Sequence, residues 1–188
     1  GAVGIGKIVS TGIGTTEFPA ATSALFSFSS GLEVSAGTVN LAGAGAASGN
    51  ITTGNINLTG GTITLGTAVR IWFVKGSSNF IGGSSANPTF SGGASTTLTI
   101  DLPVPTILQV ITLGPLEPTW PGPFSITNNG GLSEAVKFTG GNFRVSGNVT
   151  FNTGSTSSLV TLDGSKFYII GASSFTNTSG YQTMNNGF

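Results

Sequence analysis

The chain contains no cysteine and no histidine, and its 188 residues include only six basic and six acidic side chains. Disulfides, thiolate nucleophiles and imidazole acid–base groups are thereby excluded, and metal ligation is left to a few scattered carboxylates. The expectation is a protein that is not an enzyme. A formal net charge of zero offers no positive field for phosphates, which argues against nucleic acid and against an anionic membrane surface as partners. Long apolar runs are also missing: Arg70 and Lys75 close off the best candidate, Ile71-Trp72-Phe73-Val74, far short of the roughly 20 residues needed to span a bilayer. The six carboxylates, Glu17, Glu33, Asp101, Glu117, Glu134 and Asp163, are too dispersed to nominate a glycosidase pair or a calcium loop. Neither a cofactor nor a metal is expected, and catalytic residues are none. So few carboxylates also imply a fold that tolerates acid, because little stability rests on their ionisation.

What remains is 31 glycines, 13 phenylalanines, abundant Ser, Thr and Asn, and 38% hydrophobic residues. That is enough for a real core and favours short β-strands with tight turns. Gly-x-Gly occurrences such as Gly4-Ile5-Gly6 and Gly43-Ala44-Gly45 precede no helical pattern and read as turns and thin strands. Alternating apolar residues mark strands near 25–29, 32–34 and 38–41. Segments 55–59 and 62–65, either side of Gly60-Gly61, carry the signal of a hairpin. Residues 68–74 form the strongest buried strand. Six of the eight prolines fall between Pro103 and Pro123, which reads as a crossing between sheets or a boundary. Further strands recur from Val136 to Ile170, and no segment has sustained helical periodicity. Trp72 and Trp120 are expected in the core and not in a sugar-binding platform. Lys7, Lys137 and Lys166 read as solvated edge lysines, with a lysine–asparagine crosslink as the rival reading.

The fold class expected is all-β: an antiparallel β-sandwich, pilin/Ig-like or jelly-roll-like, with an N-terminal extended donor strand. The alternative is a β-solenoid, since 50–66 and 141–170 resemble solenoid coils, although no fixed period covers the chain. The domain organisation that follows is a donor strand and linker over 1–16 and a sandwich domain over 17–188, with a subdivision near 103–123 as an option. In the opening segment Val3, Ile5, Val9 and Ile13 stand at odd positions and would put four apolar pegs on one strand face. Such a strand can pair within its own domain, or it can insert into the next subunit and complete that subunit's sheet. Asn-x-Ser/Thr sequons at Asn50, Asn57, Asn148 and Asn177 lie in turn-rich stretches and suggest N-linked glycans. Together with a first residue that is not methionine, they favour a secreted chain.

A low-charge, cysteine-free, Gly/Ser/Thr/Asn-rich β-chain with several sequons and an alternating N-terminal strand resembles the subunits of the thread filaments of thermoacidophilic archaea. These are donor-strand-linked glycoprotein pili. The resemblance implies a structural subunit of an extracellular cell-surface filament for adhesion or cell contact, an open homopolymer that grows head to tail. Residues 1–14 would then be the donor strand and Asn50, Asn57, Asn148 and Asn177 the glycan sites. A surface or glycan receptor is the further partner. The other readings are a phage fibre or tail receptor-binding β-protein and a carbohydrate-binding domain.

Overall fold

The computed structural model describes residues 3–18, 25–43, 49–76, 78–102, 109–128, 136–153, 160–163 and 165–177. The described elements are all strands, arranged as successive coils. The first two coils hold β1 (Val3–Ser10) and β2 (Thr15–Glu17), then β3 (Leu25–Val34) and β4 (Thr38–Asn40). Five coils of three strands follow. They comprise β5 (Asn50–Thr53), β6 (Ile56–Leu58) and β7 (Thr62–Gly66), then β8 (Arg70–Val74), β9 (Ser78–Ile81) and β10 (Thr89–Gly92). The next two are β11 (Thr96–Leu102), β12 (Gln109–Leu113) and β13 (Thr119–Trp120), and β14 (Phe124–Asn128), β15 (Val136–Gly140) and β16 (Phe143–Val145). The last is β17 (Val149–Thr153), β18 (Val160–Asp163) and β19 (Phe167–Ile169), after which β20 (Ser173–Asn177) begins another.

Every strand pairing among the described residues is parallel. The chain is therefore a β-solenoid, and the antiparallel sandwich expected from the sequence is incorrect. One register column runs Val3, Phe26, Ile51, Trp72, Leu98, Phe124, Val149, Ser173. The shortest step in it is 21 residues, from Ile51 to Trp72, and the longest is 26, from Trp72 to Leu98 and again from Leu98 to Phe124. Parallel neighbours need a connection of a dozen residues or more, and here the rest of each coil supplies it. Two of the three faces belong to one 13-stranded sheet, joined through the long strands β1 and β3. The third face is two sheets, β10-β7-β4-β2 and β13-β16-β19.

Alternation decides which side chains enter the core. In β7, Ile63 and Leu65 are buried and alternate with the half-buried Thr62 and Thr64; β8 buries Arg70, Trp72 and Val74 in the same way. Trp72 and Trp120 are fully buried, 6.0 Å apart edge to face, and Phe90 packs 4.9 Å from Trp120. Further along, Phe124, Phe138, Phe143, Phe151 and Phe167 form a second cluster of tilted and edge-on contacts. Arg70 spans a corner, where its guanidinium donates to the carbonyls of Leu41 at 2.9 Å and Ala42 at 3.2 Å. Burial holds its pKa below the ordinary arginine value.

Corners between faces rely on small residues. Gly60-Gly61 is such a corner and not a hairpin turn: β6 pairs with β3 and β9, while β7 pairs with β4 and β10. Gly61 has φ 70, and a Cβ there would lie 2.9 Å from the Gly37 carbonyl oxygen of the coil before. The proline-rich stretch carries two solenoid strands: β12 continues the 13-stranded sheet from β9, while β13 starts the second sheet of the third face, which is interrupted between β10 and β13; residues 103–108 lie outside the described residues.

Candidate functional site

The four expected pegs do not share a face. A register shift separates Ile5, opposite Phe28, from Lys7, opposite Gly31, and it reverses the alternation of β1. Ile5 packs against the core and Ile8 and Ser10 turn inward, whereas Val9 is 52% exposed and Ile13 fully so. The side chain of Val3 lies outside the described residues. β1 pairs in parallel with β3 of its own chain, which places the opening strand within its own fold.

The few charges sit between coils. Lys7 reaches Glu33 at 2.8 Å, Lys75 reaches Asp101 at 3.3 Å, Lys137 reaches Asp163 at 2.9 Å and Arg144 reaches Glu117 at 2.9 Å. Glu117 also accepts from Asn142. The hydrogen bond from Arg144, with that from Asn142 behind it, holds the Glu117 carboxyl below its ordinary range. Lys7 and Lys137 thus have acidic partners that account for their positions in apolar strands.

Between these pairs the outside is neutral and hydroxyl-rich. One row on the first face runs Ser27, Thr52, Phe73, Thr99, Ser125, Thr150, stepped by roughly 4.8 Å as parallel strands require; Thr99 in it is buried. Two shallow depressions meet at the corner formed by Ser30 and Asn55. The first, about 350 Å³, includes Lys7, Glu33, Asn57, Asn79 and Phe80 in its lining. The second, about 520 Å³, includes Ser27, Ser29, Thr52 and Lys75. Phe80 is half-buried between the buried Asn79 and Ile81, so the pleat turns its ring outward; Asn57, its register partner, is exposed. Asn79 is the fixed wall: its Oδ1 accepts from the Ile56 N–H at 2.7 Å and its Nδ2 donates to the Gly76 carbonyl at 3.1 Å. The site therefore presents an aromatic edge, neutral amides and hydroxyls, and one ion pair. Among the described residues no group of three or more Asp and Glu is placed to hold a metal ion.

Compared with known protein families, curated proteins and solved structures, the chain matches none.

The sequons divide by position. Asn57 is exposed on β6, inside the first depression. Asn50 and Asn148 serve as corner brackets: each Oδ1 accepts a backbone N–H of the following coil, from Ile71 at 3.1 Å and from Ala172 at 3.0 Å. Asn148 is nonetheless exposed and Asn50 half-buried. Asn177 ends β20, and its side chain lies outside the described residues. Sequence reasoning marked Asn57 but missed Asn55, Phe80 and Lys7 as neighbours, which only the stacking of coils brings together. No helix of the described residues is long and apolar enough to cross a membrane.

Proposed function

We propose that this chain is a non-enzymatic segment of an extracellular fibre whose flank docks on neutral saccharides of a surface. The observation that supports this most is the depression at Asn55, where the outward ring of Phe80 lies beside the amide of Asn57 and the Lys7–Glu33 pair. Sugars present apolar C–H faces to aromatic rings and hydroxyls to amides and carboxylates, so the residue types match. A shallow polar site suits one or two sugar units and weak, repeated binding along many fibres. The neutral exterior fits the same role, since it neither attracts nor repels charged glycans over long range.

A glycan on Asn57 would fill this depression, so the reading keeps Asn57 unmodified and assigns N-linked sugar to the exposed Asn148. The test is a glycan-array screen of the purified chain, followed by Phe80→Ala and Asn57→Asp. Retention of one glycan class, lost in both variants with unchanged melting temperature, is the expected result. No retention of any saccharide, or retention indifferent to both substitutions, rejects the reading.

A further inference from the structure

The second face carries an unbroken outward row that passes through the first depression. In register from coil to coil it runs Glu33, Asn57, Phe80, Thr112, Thr139, Asp163. None of the six is buried, whereas Leu58, Ile81 and Leu113, which follow Asn57, Phe80 and Thr112 on their strands, are inside the core. Comparable rows on the other faces are interrupted. On the first face Thr99, beside Phe73, is buried, and on the third the row Thr38, Thr62, Thr89 stops where β10 does not pair with β13.

The row has a fixed step. Parallel strands lie about 4.8 Å apart, so Asn57, Phe80, Thr112 and Thr139 together span about 14 Å along the solenoid axis. Glu33, Asn57, Phe80 and Thr112 all line the first depression, with the Lys7–Glu33 pair at one end of it. The depression is therefore aligned with the axis and continued beyond Thr112 by another hydroxyl.

That geometry discriminates between glycan linkages. An extended chain of β-1,4-linked hexoses advances by nearly one strand spacing per unit and stays straight, whereas an α-1,4-linked chain of the same sugars coils away from a straight row. The Phe80 ring offers a surface to an apolar C–H face, and Asn57, Thr112 and Thr139 offer an amide and hydroxyls to the sugar hydroxyls. Charge adds a second discrimination. The lysines beside the row are held by its own acids, Lys7 by Glu33 at 2.8 Å and Lys137 by Asp163 at 2.9 Å, which favours a glycan without carboxylates.

We propose that the saccharide bound here is a neutral, extended β-1,4-linked glycan lying along this row, one sugar unit to each coil. The inference rests on the saccharide reading of the first depression and gives that site a linkage and a direction. One or two units sit at Asn57 and Phe80, and the units that follow lie over Thr112 and Thr139.

Isothermal titration calorimetry of the whole chain tests this with β-1,4-linked glucose and mannose oligomers, from monosaccharide to hexasaccharide, and with α-1,4-linked glucose oligomers as the contrast. The β-1,4-linked tetrasaccharide should bind about tenfold more tightly than the disaccharide, and the α-1,4 series should show no such gain. Thr139→Arg should cut the tetrasaccharide back to the affinity of the trisaccharide while leaving disaccharide binding and the melting temperature unchanged. Affinity that is indifferent to length, or that rises equally in the α-1,4 series, overturns this inference and leaves the saccharide reading standing. So does Phe80-dependent retention of some other glycan on the array with no binding of either β-1,4 series. If no saccharide binds at all, the reading beneath it fails and this inference falls with it.

Discussion

Lys75 Nζ lies 3.3 Å from Asp101 Oδ2, and these two residues are 26 positions apart in the chain. The same separation recurs between Lys7 and Glu33 and between Lys137 and Asp163, and it is 27 between Glu117 and Arg144. One coil of the solenoid is about this long, so each pair joins neighbouring coils. Eight of the twelve charged residues of the chain are spent in this way, which links a feature of composition to a feature of stacking.

These pairs lead to a prediction about acid. All four are partly exposed, and exposed pairs contribute little to stability. The Glu117 carboxyl is held below its ordinary range, chiefly by the hydrogen bond from Arg144. A lowered carboxyl stabilises the fold above the ordinary carboxylate range, and that contribution is lost as pH falls through the lowered value. Because Glu117 is solvent-exposed, its share is small. Thermal melts followed by circular dichroism should therefore shift by less than about 10 °C between about pH 7 and about pH 3. A collapse of the fold in this interval would show that carboxylates hold the solenoid together to a degree the geometry does not support.

Close stacking at the corners gives a second prediction. Gly37 has φ 71, and an added Cβ would collide with the carbonyl oxygens of Gly12 and Gly14. Gly37→Ala should cost about 2–4 kcal/mol in denaturant unfolding. Gly4, in β1, has nothing within 4 Å of an added Cβ, so Gly4→Ala should stay within about 0.5 kcal/mol of the parent. Equal effects at the two positions would mean that the coils do not approach as closely as Gly37 and Gly12 do here.

Much of the β-content was legible in the sequence because alternation reports burial directly. Thr62–Gly66 shows this, with Ile63 and Leu65 inside, and Trp72 and Trp120 were read correctly as core. Pairing was not legible. Backbone hydrogen bonds are the same for every residue type, so period-two alternation says which side chains are buried without saying which strand lies alongside. Steps of 21 to 26 residues in the column from Ile51 to Phe124 blur any fixed repeat. The recurrent lysine-to-acid separation and the corner asparagines Asn50 and Asn148 were the available signals. The register shift after Ile5 also defeated the peg pattern: β1 goes from Ile5 to Lys7 while β3 goes from Phe28 to Gly31, one residue more, and beyond the shift Ile8 and not Val9 faces the core, with Ile13 exposed. At the candidate site, Asn57 was marked by its sequon, while Phe80 and Lys7 meet it only through stacking.

Two buried amides on the second face should respond in opposite ways to the same substitution. Gln109, at the start of β12, is fully buried, and neither its Nε2 nor its Oε1 has a hydrogen-bond partner among the described residues. Its register partner on β15 is the buried Val136. An unpaired buried amide costs about 1–3 kcal/mol, and leucine offers similar reach without polar atoms. Gln109→Leu should therefore raise the denaturant midpoint by the equivalent of about 1–2 kcal/mol with an unchanged slope. Asn79, on the adjacent strand β9, is just as deeply placed but bonds the Ile56 N–H and the Gly76 carbonyl. Asn79→Leu would strand both backbone groups and should lower stability by about 2–3 kcal/mol. Losses of similar size in both variants would show that Gln109 is held by polar partners, and a gain in both would show that the Asn79 bracket contributes nothing to the corner.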